Sequence, residues 1–418
     1  MPQLAGSPAP TSWSAARAAL SVVARERARA LGLPTTALED WRYVALTALS
    51  RLQAAAPRAV SRDEIIPWTV PGTTSVVLVD GQLRAELSDP LPAGAPLILC
   101  EPGQLPEAQA SALLRRWSDR LAGETDISAC WALADGERGL AVQVQGAVVR
   151  PLHLISITSG GVCAATVTIT MQANASVTVI LTHVPLAPSR CSLALDLELA
   201  AGAQATVDEL QVAPGSDTAQ LFTVVRSQLG RDSRLRWTSV HRGCALGRSR
   251  LEALLGAPGA SVELAALSLL RATSQWHDLT RIAHAVGPST SQQLYKTIAD
   301  DAALGSFDGL VSIRPGADLS EARQRHQSLL LSPKARIDSR PQLDIAADDV
   351  TASHGSSIGQ LSADELFYLQ SRGLPVAQAR ALLLGGFVQD IARRLSPPGQ
   401  ALLARHDLLP QHPAPATA

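Results

Sequence analysis

The segment Ala175-Ser-Val177-Thr-Val179 recurs along the middle of the chain as Ala205-Thr-Val207, Ser233-Arg-Leu235-Arg-Trp237 and Ala260-Ser-Val262-Glu-Leu264. These segments begin 30, 28 and 27 residues apart. Each alternates apolar with polar residues, which is typical of a strand that buries one face. A repeat of this length, built only from strand signals, favours a β-solenoid in which stacked coils share one core. A β-sandwich is the competing architecture, and the repeat alone does not exclude it.

The composition agrees with a narrow solenoid interior. The chain has 418 residues, of which 46% are hydrophobic but only 3% aromatic, so small aliphatic side chains must fill any large core. This hydrophobic content can offset the entropy of ordering the chain, and the bulk of the chain is therefore expected to fold. The formal net charge of −1 argues against a dedicated nucleic-acid-binding protein, because such domains are usually strongly basic.

The stretch 151–189 contains no Asp, Glu, Lys or Arg and is long enough to span a bilayer. It is interrupted by Gly160-Gly161, and Thr recurs at every second position from Thr166 to Thr170, so it indicates strands and not a membrane helix. The N-terminal residues lack the basic and apolar segments of a secretory signal. The five cysteines are scattered without a Cys-x-x-Cys motif, which is typical of reduced core thiols. We therefore expect a soluble, cytoplasmic protein.

Helical signals precede the strand-rich region. Residues 12–31 and residues 36–53 carry apolar residues at helical spacing, and each range predicts one helix. The apolar run 76–79 followed by Asp80-Gly81 predicts a β-hairpin. A further helix is expected over residues 106–122.

The last part of the chain returns to helical signals. Ser362-Ala-Asp-Glu365 is a capping box, and Gly373 is placed to end the helix that this box begins. Pro375 begins a second helix that runs to about Leu395, and the residues after Pro410 indicate a loose tail. The two helices predict an αα-hairpin whose apolar residues pack on one another: Phe367, Leu382, Leu383 and Phe387.

Common enzyme signatures are absent from the sequence. It contains no Gly-x-x-x-x-Gly-Lys-Ser/Thr loop, no His-Glu-x-x-His and no dinucleotide fingerprint, and its Gly-x-Ser-x-Gly match is Gly355-Ser-Ser-Ile-Gly359. The segment His354-Gly-Ser-Ser-Ile-Gly359 is interpreted as a turn and not as the loop of a nucleophilic serine. His277, Asp278 and His284 are close in sequence, but two histidines seven residues apart in strand-like sequence are more often surface or core polar residues than metal ligands.

A dense run of motifs between residues 291 and 391 resembles a known family. In chain order the motifs are Ser291-Gln-Gln-Leu-Tyr-Lys-Thr-Ile298, Gly305-Ser-Phe-Asp-Gly-Leu-Val311, Arg340-Pro-Gln-Leu-Asp-Ile345, Ser353-His-Gly355 and Phe367-Tyr-Leu-Gln-Ser-Arg-Gly373. Together they resemble the SufB/SufD family of iron–sulfur cluster assembly proteins. The chain length suits the shorter SufD branch. The cysteine pattern of the SufB branch, and its Glu-His-Glu-Ala version of the His354 motif, are missing.

The resemblance implies a mainly β protein whose core is a right-handed parallel β-helix with helical domains at both ends. We expect an N-terminal helical region over 1–70, a mixed hairpin and helix lead-in over 71–137, the β-helix core over 138–359 and a C-terminal helical domain over 360–418. The resemblance also implies a scaffold subunit that pairs with SufB through the two β-helices and docks the ATPase SufC on its C-terminal helices. No enzymatic activity is expected of this chain, since ATP hydrolysis would belong to SufC.

His354 is the candidate metal-binding residue that the resemblance singles out. The histidine of the family at this position lies at the interface with SufB and is implicated in building the nascent cluster, and an imidazole is a suitable iron ligand. Many relatives carry Cys two residues earlier, where this chain has Ala352. We therefore expect a transient iron–sulfur cluster that relies on His354 and on ligands of SufB, and no tightly bound cofactor. The alternative role for His354 is a hydrogen bond across the interface or a turn cap.

Phe367, Tyr368, Arg372 and Gly373 are the candidate contacts to SufC. Tyr368 and Arg372 are four residues apart and share a helix face, and both residue types are favoured at interfaces. Internal packing is the alternative role, above all for Phe367, and Gly373 is also placed as a helix cap.

Two other functions stay open. A β-helix enzyme that cleaves polysaccharides would need aligned carboxylates and aromatic platforms, and the chain has only 3 Tyr, 7 Trp and 4 Phe. A homodimeric storage or adaptor protein without a metal role is the second alternative, and homodimerisation in the absence of SufB stays open as well. Neither a nucleic acid nor a membrane is expected as a partner.

Overall fold

The structure is a computed structural model that describes residues 11–136, 139–211 and 218–406. In chain order its strands are β1 (Thr74–Val79), β2 (Gln82–Leu83), β3 (Leu97–Cys100), β4 (Gly139–Val144), β5 (Leu152–Thr158), β6 (Gly161–Met171), β7 (Ser176–Pro185), β8 (Ser189–Leu199), β9 (Gln204–Gln211), β10 (Gln220–Leu229), β11 (Arg234–His241), β12 (Leu246–Leu255), β13 (Ser261–Leu270), β14 (Gln275–His284), β15 (Thr290–Ala299), β16 (Leu304–Ile313), β17 (Ser320–Leu330), β18 (Arg336–Ile345) and β19 (Val350–Gly359).

The α-helices of the described residues are α1 (Thr11–Leu31), α2 (Thr47–Ser50), α3 (Arg62–Ile65), α4 (Glu107–Ala122), α5 (Ile127–Asp135), α6 (Ala363–Ser371), α7 (Val376–Ala392) and α8 (Pro397–Arg405). Short 3-10 turns connect several elements: Glu39–Trp41, Ile66–Trp68, Ala85–Leu87 and Pro102–Gln104. The predicted tail after Pro410 lies outside the described residues.

From β4 onward, successive strands alternate between two sheets. One sheet has the order β19-β17-β15-β13-β11-β9-β7-β5-β1-β2, and the other has the order β18-β16-β14-β12-β10-β8-β6-β4-β3. From β4 onward each strand therefore lies parallel to the strand two positions before or after it, whereas a sandwich would be dominated by antiparallel neighbours. The molecule is a parallel β-solenoid of about seven turns with helices at both ends, which confirms the solenoid and excludes the sandwich.

Each sequence repeat corresponds to one coil of the solenoid, so equivalent positions of successive repeats pair in register. Val177 pairs with Ala205, Ala205 with Leu235, and Leu235 with Val262. A residue with left-handed backbone occupies the turn before each of these strands: Asn174, Gly202, Asp232 and Gly259, with φ between 56° and 76°. Asn, Asp and Gly tolerate this conformation best, so the turns reinforce the repeat. The charge-free stretch 151–189 forms β5 to β7 and leads into β8, as predicted, and none of the described helices is long and apolar enough to cross a membrane.

Small aliphatic side chains fill the interior between the two sheets, as the composition predicts. The main cluster consists largely of buried Val, Leu, Ile and Ala, with three aromatic members: Trp237, Tyr295 and Phe307. Each coil adds a similar layer, and the coils stabilise one another by burying this continuous core.

The N-terminal helices pack against each other beside the solenoid. The predicted helices α1 and α4 are present, and with α5 they bury a cluster that includes Trp13, Leu20 and Trp117. The predicted helix over 36–53 is wrong, because only a 3-10 turn and the four-residue α2 form there. Tertiary contacts explain the difference.

Side chains of the solenoid hold the segment around Trp41 in an irregular path. Asp40 pairs with Arg281 at 2.7 Å, and Glu39 pairs with Arg340. Trp41 is buried under the guanidinium of Arg248, 4.2 Å from its ring centroid. These contacts override the helix propensity of the segment.

The predicted hairpin is present but short. β1 and β2 pair antiparallel through Leu78–Leu83 and Val79–Gln82, and Asp80 and Gly81 have φ of 50° and 80°. Positive φ at both turn residues is what a two-residue hairpin requires. β1 also pairs in parallel with β5, so the first strand of this sheet lies inside the predicted lead-in region.

The C-terminal αα-hairpin is present, but its packing differs from the prediction. Ser362 caps α6 by accepting a hydrogen bond from the backbone of Glu365 at 3.2 Å, as the capping box predicts. The prediction that Phe367 packs inside the hairpin is wrong, since 71% of Phe367 is exposed. The helices α7 and α8 instead turn their apolar residues toward the outer face of the β5-to-β15 sheet; Val388, Ile391, Leu402 and Leu403 are buried there.

Candidate functional site

The last coil of the solenoid is open. β18 pairs only with β16, and β19 pairs only with β17, within the described chain. Every residue of β19 from Ser353 to Gly359 is exposed. One edge of each strand therefore presents backbone groups that no described strand pairs, an arrangement that invites further strands.

His354 lies in the middle of β19, so its interpretation as part of a turn is wrong. It pairs in register with Gln324, which pairs in turn with Gln293. Alternate residues of β17 are buried, and Gln324 is only 3% exposed, so this register position faces the interior of the solenoid. Because no described coil covers it, His354 faces the open end of that interior and is exposed.

A cavity of about 400 Å³ lies beside His354. Three arginines, Arg323, Arg325 and Arg394, contribute to its lining. Gln324, another lining residue, is buried, and neither its amide nitrogen nor its amide oxygen has a hydrogen-bond partner in the described chain. Residues alternate between the two faces of a strand, so Arg323 and Arg325 lie on the opposite side of this sheet from Gln324 and His354.

The described residues do not complete a metal centre by themselves. They contain no group of three or more His, Cys, Asp or Glu arranged to hold a metal ion. Ala352 shares the inward-facing register with His354 and supplies no ligand, and all five cysteines precede residue 245. An iron–sulfur cluster bound through His354 would be cargo that takes its other ligands from another chain.

A column of polar residues inside the solenoid was missed by the sequence analysis. His183 pairs with Gln211, and further along the stack His241 pairs with Ser268, which pairs with Thr297. All five are buried. We call these residues the internal polar column. Their spacing of 27 to 30 residues, the repeat of the strands, is the signal that could have revealed them.

Glu209 anchors the internal polar column. Its carboxylate lies 3.1 Å from His183 Nε2 and accepts hydrogen bonds from Trp237 Nε1 at 3.1 Å and Ser239 Oγ at 3.3 Å. Burial raises the pKa of Glu209, but the hydrogen bond with His183 and the proximity of His241 lower it by more, so the net shift is downward. Burial lowers the pKa of His241 to about 4. Glu209 is therefore a buried carboxylate beside the neutral imidazole of His241.

The second group of histidines is structural, as predicted. His277 Nδ1 lies 2.8 Å from Ser306 Oγ, and His284 lies 2.8 Å from the hydroxyls of Ser289 and Ser291. Burial lowers the pKa of His277 to about 3. Both histidines are satisfied core residues and not metal ligands.

The proposed SufC contacts lie on the exposed part of the C-terminal hairpin. Phe367 and Tyr368 are 71% and 56% exposed, and the Arg372 guanidinium stacks over the Tyr368 ring at 5.2 Å from its centroid. Gly373 has φ of 90° and caps α6 by donating a hydrogen bond to Gln370 at 2.9 Å. The spacing argument for Tyr368 and Arg372 thus gives a real contact. We call the exposed apolar residues of this hairpin the helical patch; they are Phe367, Tyr368, Val376 and Leu382.

The described residues thus form a parallel β-solenoid flanked by helices, with an open last coil at one end and the exposed helical patch on the C-terminal hairpin. A comparison with protein-family models matches residues 154–387, more than half of the chain, to the SufBD core domain of SUF system FeS cluster assembly. The chain belongs to the SufBD family of iron–sulfur cluster assembly proteins, and within it the chain is most like SufD.

Curated relatives agree with this family. The chain is 29% identical to a SufBD-family iron–sulfur cluster assembly protein of Synechocystis over 86% of this chain and 83% of the relative. It is 25% identical to SufD of Escherichia coli over 90% and 88% of the two chains, and 32% identical to SufD of Bacillus subtilis over 40% and 38%. These relatives are named as assembly proteins and not as enzymes, so the findings support a role in iron–sulfur cluster assembly and not the polysaccharide-cleaving alternative.

Proposed function

We propose that this chain is the scaffold subunit that joins SufB through its last coil and binds the ATPase SufC through its C-terminal helices. The open edges of β18 and β19 carry the proposal. Strands of a second solenoid that added to these edges would continue both sheets and satisfy the unpaired backbone groups. Ile345 and Ile358, which are 44% and 45% exposed at this end, would be covered in the same step.

We further propose that His354 ligates the nascent iron–sulfur cluster at this junction. The imidazole is accessible, lies on the strand that would contact SufB, and is next to a cavity lined by three arginines. Imidazole nitrogen is a competent ligand for iron when thiolates supply the remaining positions. Because Ala352 supplies no thiolate, SufB has to supply them.

The helical patch is the proposed site for SufC. Its aromatic residues are exposed in the isolated chain, and aromatic and Arg side chains often dominate binding energy at interfaces. Deleting the helices is a poor test, because Ile391 and Leu402 on α7 and α8 cover apolar residues of the solenoid such as Val240. Point variants in the helical patch leave these apolar residues of the solenoid covered.

Co-expression with SufB and SufC, followed by pull-down and an absorption spectrum of the complex, tests the proposal. We expect Ile358→Lys to lose SufB, because an added charge on the edge strand opposes strand pairing. We expect Phe367→Ala combined with Tyr368→Ala to lose SufC and retain SufB. Leu33→Ala, at another highly exposed apolar residue, is the matched control and should lose neither.

For His354, we expect His354→Ala to retain both partners and to lose most of the cluster absorption. Ser356→Ala, two residues further along the same strand, is the control and should keep the spectrum. If His354→Ala instead kept the spectrum while the complex dissociated, His354 would be an interface residue. The mass of the isolated chain in solution decides the remaining alternative, since a stable homodimer that excludes SufB would replace the proposed pairing.

A further inference from the structure

Two cysteines face each other inside the solenoid. Cys163 on β6 and Cys191 on β8 are partners in register on adjacent parallel strands. Such neighbours lie about 4.8 Å apart, within the roughly 4.4–6.8 Å between Cα atoms that a disulfide spans. Both thiols belong to an apolar corner of the interior that also contains Leu221 and Trp276, and Cys163 Sγ lies 3.9 Å from Thr158 Oγ1.

An extended segment around Ala55 covers this corner. The backbone N–H of Gly161 donates to the carbonyl of Ala55 at 2.6 Å, and the N–H of Ala55 donates to the carbonyl of Pro188 at 2.8 Å. The segment thus bridges the two turns that lead into β6 and β8. Cys163 and Cys191 keep 8% and 6% exposure, so a molecule close to the size of water can reach them but a bulky reagent cannot.

The two thiols differ in reactivity. The neighbouring Cys163 thiol lowers the pKa of Cys191 by more than burial raises it, to about 7, and nearby His183 also favours its thiolate. The Cys191 thiol and burial raise the pKa of Cys163. Burial also raises the pKa of Cys100 to about 11 and that of Cys130 to about 12. Because the thiolate is the reactive form, Cys191 is the nucleophile of the pair.

We propose that Cys163 and Cys191 are an oxidation site that hydrogen peroxide converts to an intrachain disulfide between β6 and β8. In the first step the Cys191 sulfur attacks one peroxide oxygen, the O–O bond breaks, and the sulfur is oxidised to sulfenic acid. The displaced hydroxide takes up the proton that the thiol released and leaves as water.

In the second step the Cys163 sulfur attacks the sulfenic sulfur and forms the S–S bond. The hydroxyl group leaves with the Cys163 proton as a second water. Two thiols and one peroxide thus give one disulfide and two waters, and a dithiol reductant reverses the change. The inference rests on the register of β6 and β8 and is independent of the proposed pairing with SufB and SufC.

The test exposes the reduced full-length chain to hydrogen peroxide and maps each cysteine by differential alkylation and mass spectrometry. We expect one linked peptide pair, Cys163–Cys191, that forms first and disappears when the unfolded chain is treated with dithiothreitol. With Cys163→Ser, dimedone added together with denaturant after exposure to peroxide should label Cys191, whereas Cys191→Ser should leave Cys163 reduced. Cys130→Ser is the matched control and should still form the disulfide.

Oxidation of the more exposed Cys100 while Cys163 and Cys191 stay reduced would overturn the inference. A disulfide between chains in place of the internal one would overturn it as well. The wild-type mapping needs no substitution, so it decides the question even if a serine variant folds poorly. Circular dichroism of each variant separates lost folding from lost reactivity.

Discussion

The buried ion pair between Asp126 and Arg248 provides the sharpest test of how the N-terminal helices are fixed to the solenoid. Asp126 caps α5 by accepting a hydrogen bond from the backbone of Ser128 at 2.9 Å, and its Oδ2 lies 2.6 Å from Arg248 Nη1 on β12. The two side chains are 0% and 1% exposed. The substitution Asp126→Asn keeps the volume and the capping oxygen but removes the charge, so it isolates the ionic contribution.

The expected loss follows from two independent magnitudes. Burial raises the pKa of Asp126, but Arg248 and Arg250 lower it by more, to about 2. Against about 3.9 in the unfolded chain, and at roughly 1.4 kcal/mol per pKa unit, this shift is worth about 3 kcal/mol. Breaking a buried pair by removing one partner typically costs about 3–5 kcal/mol. We therefore expect Asp126→Asn to lower the free energy of unfolding by about 3–5 kcal/mol at pH 7.

The pH dependence has a definite sign. The pKa of Asp126 is lower in the folded state than in the unfolded state. The stability that its ionised carboxylate contributes to the fold is therefore fully present above about pH 4 and is lost as the pH falls toward 2. The difference in the free energy of unfolding between wild type and Asp126→Asn should consequently be smaller at pH 3 than at pH 7. Urea unfolding followed by far-UV circular dichroism at both pH values measures it.

Two further variants complete this experiment. Asp119→Asn, at an exposed carboxylate of α4, is the matched control and should stay within about 0.5 kcal/mol of wild type. Adding Arg248→Met to Asp126→Asn should recover most of the loss, because no buried charge is then left unpaired. A loss below about 0.5 kcal/mol for Asp126→Asn, or an equal gap at pH 7 and pH 3, would refute the reasoning.

Three further predictions concern the packing of the solenoid. Ile391→Ala removes a fully buried side chain and should lower stability by about 2–5 kcal/mol in urea unfolding, whereas Phe367→Ala should change it by less than about 0.5 kcal/mol; equal effects would contradict the assigned burial. Gly309→Ala places a Cβ 2.6 Å from the Phe307 ring and should cost about 1–3 kcal/mol by thermal unfolding, while Gly355→Ala, which meets no atom, should be close to neutral. Glu209→Leu leaves the Trp237 indole without its carboxylate acceptor and should cost about 1–3 kcal/mol at pH 7; an unchanged urea midpoint would show that the internal polar column does not depend on it.

The repeat allowed the solenoid to be predicted because each coil places the same residue types in the same register. Ala205 and Leu235 are adjacent in space because they are about one coil apart in sequence, so a local pattern reports a non-local contact. The Ser362 cap of α6 and the turn at Asp80-Gly81 were predictable for a similar reason, since their contacts are between near neighbours in sequence.

The wrong predictions concern segments whose structure depends on contacts distant in sequence or that lack a clear local pattern. The predicted helix around Trp41 fails because Arg248, Arg281 and Arg340, more than 200 residues away, hold that segment. α5 was missed because it is short and buried on most sides, so it lacks the amphipathic stripe that marks a surface helix. His354 was placed in a turn because exposed strand residues next to glycine carry no apolar alternation.

The open last coil also sets the order in which the structure comes apart. In a stack of coils each turn is stabilised mainly by its two nearest neighbours, and the turn formed by β18 and β19 has only one. Fraying therefore begins at this end and propagates inward one coil at a time. A chain that adds strands here acts as one more layer of the stack, so its binding stabilises the last coil. We therefore expect binding to slow amide exchange in β18 and β19, with the added protection declining toward β1.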